Sequence, residues 1–277
     1  MSGVRKAVNI IGGGNVGRSL ARLWHQHGVF TIGDILNRTP ASAQLAAEFI
    51  GEGRASATID EMKPADVWLI AVSDDRIRFC CEQLAASHKL RPGAVVFHCS
   101  GALPSGELKA ARAQGAAIAS IHPIRSFANP EHVATAFDGT WCGIEGEPAA
   151  LEILAPAFEA IGARLVTIDA GAKTVYHSAA VFACNYLVTL LDTAVKAYGA
   201  AGVPQDVALQ MMEPLVRGTI DNVFRSDPAA ALTGPIARGD LATAQKQSRA
   251  VNAWNDDYGA LYDQFMKLTI ELARKKM

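Results

Sequence analysis

The sequence lacks one-sided charge, paired cysteines and long apolar runs, and each lack excludes something. Its 277 residues carry 26 Lys and Arg against 27 Asp and Glu, a formal net charge of −1. Nucleic acid and anionic bilayers both need a basic face, so neither is an expected partner. The five cysteines, Cys80, Cys81, Cys99, Cys142 and Cys184, are odd in number and include no Cys-x-x-Cys pair. That argues against a disulfide framework or a metal site and for a reducing cytoplasm. The early apolar run, Val8 to Ile11, is too short for an export signal, and glycines follow it. The most apolar later stretch, Ser178 to Leu191, falls short of the ~20 residues of a membrane span. It ends at Asp192 and reads as a buried core helix. There is no internal repeat, long linker or low-complexity tract.

What the chain does have is 50% apolar and 19% charged residues, enough to bury a sizeable core. Up to Ile168, short apolar runs alternate with helix-forming segments. The runs are Val8–Ile11, 34–36, Val67–Val72, Val95–Phe97, Ala117–Ile121, Trp141–Glu145 and 164–168. Such alternation builds a parallel sheet covered by helices. Beyond Gly171 only helical patterns follow, separated by breakers at 202–204, 227–228 and 234–235. The expected fold class is α/β. A Rossmann-type, mostly parallel sheet over residues 1–168 precedes an all-helical domain over 169–277.

Gly12-Gly13-Gly14-Asn15-Val16-Gly17 carries the Gly-x-Gly-x-x-Gly spacing between the first strand and the first helix. In that context Gly12, Gly14 and Gly17 allow a tight turn, close backbone approach to a pyrophosphate and close helix–strand packing. The helix start, with Asn15 and Val16, offers unpaired N–H groups to phosphate. About 20 residues on, where an acidic residue would bind an NAD ribose, the chain reads Asn37-Arg38-Thr39. No carboxylate repels a 2′-phosphate there. Arg38 can pair with one, and Asn37 and Thr39 can donate hydrogen bonds, so NADP is the expected cofactor. Val72 and Ser73, after the Val67–Val72 strand, are expected cofactor contacts. Asp74 reads as the cap of the helix that follows.

These segments, with 98–102, 122–127, Tyr176-His177 through Asn185, and Leu232–Asp240, recur in this order in a known group. The chain resembles the Rossmann-like NADP oxidoreductases that carry domain of unknown function 2520 at the C-terminus. That group is similar to the 6-phosphogluconate-dehydrogenase-like superfamily. The resemblance implies an NADP oxidoreductase, dimeric through the helical domain, and some members look like an alternative type of ketopantoate reductase.

Such an enzyme needs a proton donor or acceptor and a substrate anchor. Lys173 and His177 stand four residues apart on one predicted helix face. Lys173 in a first turn opposes the helix dipole, at a cost of about 0.3–1 kcal/mol, which hints at a purpose other than stability. Lys173 also fits the lysine of the β-hydroxyacid dehydrogenases, whereas His177 stands where their asparagine would be. Asn185 lies at the edge of the same face. His122, fixed in an extended turn by Pro123, matches a His-Pro pair of prephenate dehydrogenases whose histidine contacts substrate. Arg125 and Ser126 are carboxylate anchors on this reading, and Ser100 ends a strand beside the nicotinamide end. The expected activity is hydride transfer to or from a small carbonyl, imine or hydroxy acid that bears a carboxylate. Lys173 or His177 relays the proton, and His122 and Ser100 position the substrate. The alternatives are a prephenate-like oxidative decarboxylation and a non-catalytic NADP-binding or redox-sensing protein. Asp240 is read as an N-cap, and the cysteines as packing residues.

Overall fold

The computed structural model describes residues 5–276. The chain divides into two units, Met1–Ala183 and Cys184–Met277. In the first, β1 (Ala7–Ile11), α1 (Asn15–Gln26), β2 (Thr31–Leu36), α2 (Pro40–Ile50), β3 (Arg54–Ser56), β4 (Val67–Ile70), α3 (Asp74–Ala86) and β5 (Val95–His98) come in order. They are followed by α4 (Lys109–Ala113), β6 (Ala117–Pro123), α5 (Pro130–Thr135), β7 (Trp141–Gly146), α6 (Pro148–Glu159), β8 (Arg164–Thr167) and α7 (Lys173–Ala180). The sheet order is β3-β2-β1-β4-β5-β6-β7-β8. Every pair is parallel except β6 with β7. This is the expected Rossmann-type α/β fold.

The residues explain the architecture. The strands β4 (Val-Trp-Leu-Ile) and β5 (Val-Val-Phe-His) are buried throughout, as strands covered on both faces must be. One face packs under Trp24, Phe30, Phe97 and Phe158. Trp24 meets Phe30 and Phe158 edge-on at 5.4 and 5.5 Å, the favoured aromatic geometry, and its indole N–H donates to the Ala157 carbonyl at 3.2 Å. The other face packs Trp68, Ile70, Leu84 and Val96. Strand order reverses at β1, so the carboxyl ends of β1 and β4 open the crevice where ligands of such sheets bind.

Three expectations change. The strand β3 was not foreseen, because Arg54-Ala55-Ser56 has no apolar run. It forms by pairing with β2, and Arg54 Nε donates to Asp34 Oδ1 at 2.7 Å. Asp74 is the first residue of α3 rather than its cap; Ser73 takes the cap position and frees the Asp74 carboxylate for another partner. The break between units falls at Ala183 rather than Ile168, and α7 stays with the sheet unit, tied to it by the buried Lys173.

The second unit holds α8 (Tyr186–Ala200), α9 (Gln205–Arg225), α10 (Pro228–Ala231), α11 (Gly234–Ala237), α12 (Leu241–Trp254) and α13 (Asp256–Ala273). Among the described residues it has no strand. Asp240 caps α12 as expected, accepting from the Thr243 N–H at 3.1 Å. A π-helical turn, Val181–Asn185, joins α7 to α8. The Ser178–Leu191 run is not a buried core helix. No residue in the most apolar window of the helical stretch Ala170–Ala200 is buried, although its length and mean hydropathy of 1.4 would suffice to cross a membrane. Val175 and Val188 are 75% and 68% exposed, so the apolarity of this helix belongs to an outer face of the chain.

Candidate functional site

The glycine motif divides its labour as the spacing predicts. Gly12 has φ +100°, and a Cβ there would lie 2.5 Å from the Ala71 carbonyl oxygen. A Cβ on Gly17 would collide with the carbonyl oxygen of Gly12. Gly14 differs: a Cβ there meets nothing within 4 Å. It is the N-cap of α1 and makes no side-chain cap, so the first-turn N–H groups face the opening. A groove of about 1040 Å³ runs over this helix start, lined by Gly14, Asn15, Arg38, Ser42, Val72 and Ser73 among others.

Asn37 and Thr39 are engaged with the protein. Asn37 accepts from the Gly13 N–H through Oδ1 and donates from Nδ2 to the Ser42 carbonyl at 2.8 Å. Thr39 caps α2, accepting from the Ser42 N–H at 3.2 Å. Of the three, Arg38 alone makes no hydrogen bond or ion pair among the described residues. Two further guanidinium groups, which the sequence reading did not pick out, line the groove: Arg18, 5.2 Å from the Phe49 ring centroid, and Arg76, 4.4 Å from that of Phe79. Arg18 directly follows the last motif glycine, the one sequence signal that could have marked it.

A second cavity, about 380 Å³, shares Ala71 and Val72 with the groove and is also walled by Val16. His122, from the end of β6, and His177, from α7, line it with ring centroids 5.5 Å apart. They meet over Gly101. A Cβ on Gly101 would collide with His177 Nδ1 and lie 2.8 Å from His122 Nε2. The Tyr176 hydroxyl holds His122 Nδ1 at 3.2 Å and stands over Gly143, where a Cβ would come within 2.5 Å of it. His177 Nδ1 is buried with no partner. Burial, then the charges of His177 and Lys173, lower the His122 pKa to about 4, so at neutral pH it is an uncharged imidazole. Arg125 also faces this cavity. Its Nη1 donates to the Ala136 carbonyl at 2.5 Å and to Thr140 Oγ1 at 3.2 Å.

Of the other candidates, Ser100 also lines this second cavity, but its hydroxyl is engaged. The Ser100 hydroxyl donates to Asp74 Oδ2 at 2.9 Å and accepts from the N–H groups of Ala102 and Leu103, so it fixes a turn. Lys173 is 1% exposed. Its ammonium donates to the Ser100 carbonyl at 2.9 Å and to Ser120 Oγ, and lies 3.6 Å from Glu145 Oε1. Burial lowers the Lys173 pKa, and Glu145 opposes the shift. Asn185 lies in the second unit, exposed at the end of the π-turn, rather than buried. Ser120 and Glu145 escaped the sequence reading; a carboxylate at the end of the apolar run Trp141–Glu145 was the available signal. Burial pushes the Cys99 and Cys142 thiols up, as packing residues require.

Comparison with known proteins agrees with this geometry. A Rossmann-like domain model matches residues 1–123, and the model of a domain of unknown function, DUF2520, matches residues 140–269. No curated protein sequence matches the chain. Protein TM1727 from Thermotoga maritima is 30% identical and superposes with a TM-score of 0.79 over 97% of this chain and 99% of its own. Two reductases share the fold at lower identity. Pyrroline-5-carboxylate reductase from Coxiella burnetii is 15% identical, with a TM-score of 0.60 over 99% of each chain. Imine reductase from Myxococcus stipitatus, in complex with NADP+, is 17% identical, with a TM-score of 0.64 over 97% of this chain and 93% of its own. With both models matched in sequence and TM1727 aligned along nearly its whole length, the chain belongs to the Rossmann-like family that carries the DUF2520 domain at its C-terminus.

Proposed function

We propose that the protein is an NADP-dependent oxidoreductase acting on a small carbonyl, imine or hydroxy-acid substrate. One observation carries this reading: the groove over the α1 start and the histidine cavity share a wall at Ala71 and Val72. The residues present fit a nicotinamide dinucleotide. Open space over Gly14 and an uncapped helix start suit a pyrophosphate, and the unpaired Arg38 suits a 2′-phosphate. Bound there, the dinucleotide supplies or takes the hydride. The names of the two reductases of the same fold, an imine reductase and a pyrroline-carboxylate reductase, support a C=N or C=O group as its counterpart.

The chain's own side chains supply the rest. His122, neutral and held through Nδ1 by Tyr176, offers Nε2 to the substrate oxygen or nitrogen. His177, with Nδ1 free of protein partners, holds the proton exchanged with that atom. Arg125, partly tied to Ala136 and Thr140, keeps donors for a substrate carboxylate. Val16, Val72 and Phe127 give the cavity apolar wall that limits water. Five free cysteines support a reducing compartment.

NADPH oxidation followed against a panel of cyclic imines and 2-oxo acids tests the reaction; no turnover with any of them, alongside tight NADPH binding, favours a non-catalytic sensor. Arg38→Ala is expected to weaken NADPH binding about 10- to 100-fold, the worth of charge-assisted hydrogen bonds, and to leave NADH binding unchanged. Fluorescence titration reads both, and equal NADPH affinity in the variant removes Arg38 from the 2′-phosphate.

The exposed apolar face of 170–200 is covered by a second copy of the chain. A bilayer is the poorer occupant, because the uncharged apolar run Ser178–Leu191 is shorter than the ~20 residues of a span and the Asp192–Lys196 ion pair follows it on α8. Light scattering should give twice the chain mass for the wild type and the single-chain mass for Val188→Asp. A single-chain mass for the wild type rejects the dimer.

A further inference from the structure

The reaction scheme leaves a buried charge without a task. Lys173 opens α7 inside the sheet unit, where its positive charge opposes the helix dipole. Its ammonium donates to the Ser100 carbonyl and to Ser120 Oγ, and it faces the Glu145 carboxylate at an ion-pair distance of 3.6 Å. Lys173 is buried and does not line the cavity, so its ammonium presents no N–H to a substrate there. Glu145 is itself fixed, accepting from the Ser105 N–H and hydroxyl at 2.7 Å each. The ammonium therefore joins α7, β6, β7 and the turn after β5. That turn carries Gly101, the residue on which the His122 and His177 rings close.

We infer that Lys173 is a positioning residue: anchored on Glu145, it clamps the Ser100 carbonyl and the Ser120 hydroxyl so that the Gly101 turn seats His122 and His177 against each other. This goes beyond the proposed reaction, in which Tyr176 holds His122 but nothing accounts for the seating of the two rings against each other. The alternative, Lys173 as the proton donor, needs a free N–H in the cavity, and the geometry gives it none. Removing Lys173 alone would strand a buried carboxylate. Replacing both charges by neutral groups of similar shape is tolerated far better. In Lys173→Met with Glu145→Gln, the glutamine keeps both Ser105 contacts, and the Ser120 hydroxyl can turn to the Ser100 carbonyl, 3.4 Å away.

The seat is read by carbethoxylation with diethylpyrocarbonate, mapped by mass spectrometry on the full chain. The exposed His88 and His132 serve as internal controls. In the double variant, His122 and His177 are expected to react at least tenfold faster than in the wild type. The controls, the urea midpoint and NADPH affinity stay within about threefold or better. Wild-type reactivity at both cavity histidines in the folded double variant overturns the assignment. Where the double variant does not fold, Ser120→Ala, which leaves both charges in place, should still speed both histidines threefold or more, and no change there overturns it equally. Failure of the wild type to bind NADPH sinks the oxidoreductase reading without touching the seat, so the two failures are separable.

Discussion

Replacing Gly14 with valine should leave the fold standing and weaken NADPH binding by 100-fold or more. Gly14 has φ −71° and ψ −164°, a backbone conformation open to any residue. A Cβ there meets nothing within 4 Å, so no strain or clash in the protein demands glycine. The loss of a good N-cap costs about 1 kcal/mol. The space that the new side chain fills is the opening above the α1 start, where the pyrophosphate must approach the backbone N–H groups. Losing those contacts is worth more than about 2.7 kcal/mol of binding, hence the 100-fold. Gly17→Val is the contrasting case. Its side chain would strike the Gly12 carbonyl and should lower both the melting temperature and the affinity. Circular dichroism and fluorescence titration separate the two outcomes. A Gly14→Val protein that binds NADPH like the wild type would show that the cofactor does not lie on this helix start, and would remove the main support for the proposed function.

The contrast between these two glycines shows what the sequence can and cannot reveal. Spacing and context identified the motif, because strand, turn and helix follow one another locally. The same locality made seven of the eight strands readable. The eighth, β3, owes its form to a neighbour twenty residues earlier in the chain, the Asp34–Arg54 pairing, and no local pattern announces it. The candidate site divides in the same way. His122 stood out through Pro123, and Lys173 and His177 through their helical spacing. Their grouping did not follow from that spacing. Lys173 and His177 share a helix, yet Lys173 is drawn into the sheet by Glu145 and Ser120 while His177 faces His122. The partners that decide this, Glu145 and Ser120, sit on strands 28 and 53 residues away. The misread helix at Ser178–Leu191 has a related cause: an apolar run looks the same in sequence whether it is buried within its own chain or exposed on it.

Acidification should destabilise the fold well before its carboxylates are protonated, and His98 should carry most of the effect. His98 is fully buried. Its Nδ1 accepts from the Ser100 N–H at 3.1 Å, so the ring proton sits on Nε2, which donates to the Pro104 carbonyl at 3.2 Å. A second proton could enter only at Nδ1, against that N–H. Burial is the main cause that lowers the His98 pKa to about 4, partly opposed by the bond to Pro104 and aided by the charge of Lys173. His122 is lowered to about 4 as well. The unfolded chain protonates each near 6.5 and the folded chain only near 4, so between those values the unfolded state binds more protons. Stability is therefore complete above about pH 6.5 and is lost as pH falls toward 4. From pH 7 to pH 5 one such histidine accounts for about 2 kcal/mol, and His122, partly exposed, adds a smaller share. Asp34 does not confuse the window. Burial would raise it, but Arg54 and the Lys63 N–H hold it below the usual carboxylate range, so its contribution is lost only at lower pH. Urea unfolding at the two pH values should show a wild-type loss of about 3 kcal/mol. His98→Gln should start lower at pH 7 and lose about 2 kcal/mol less on acidification. An equal loss in wild type and variant would mean that His98 takes up its proton within the folded state. The clamp on Ser100 would then yield at the pH where that histidine titrates.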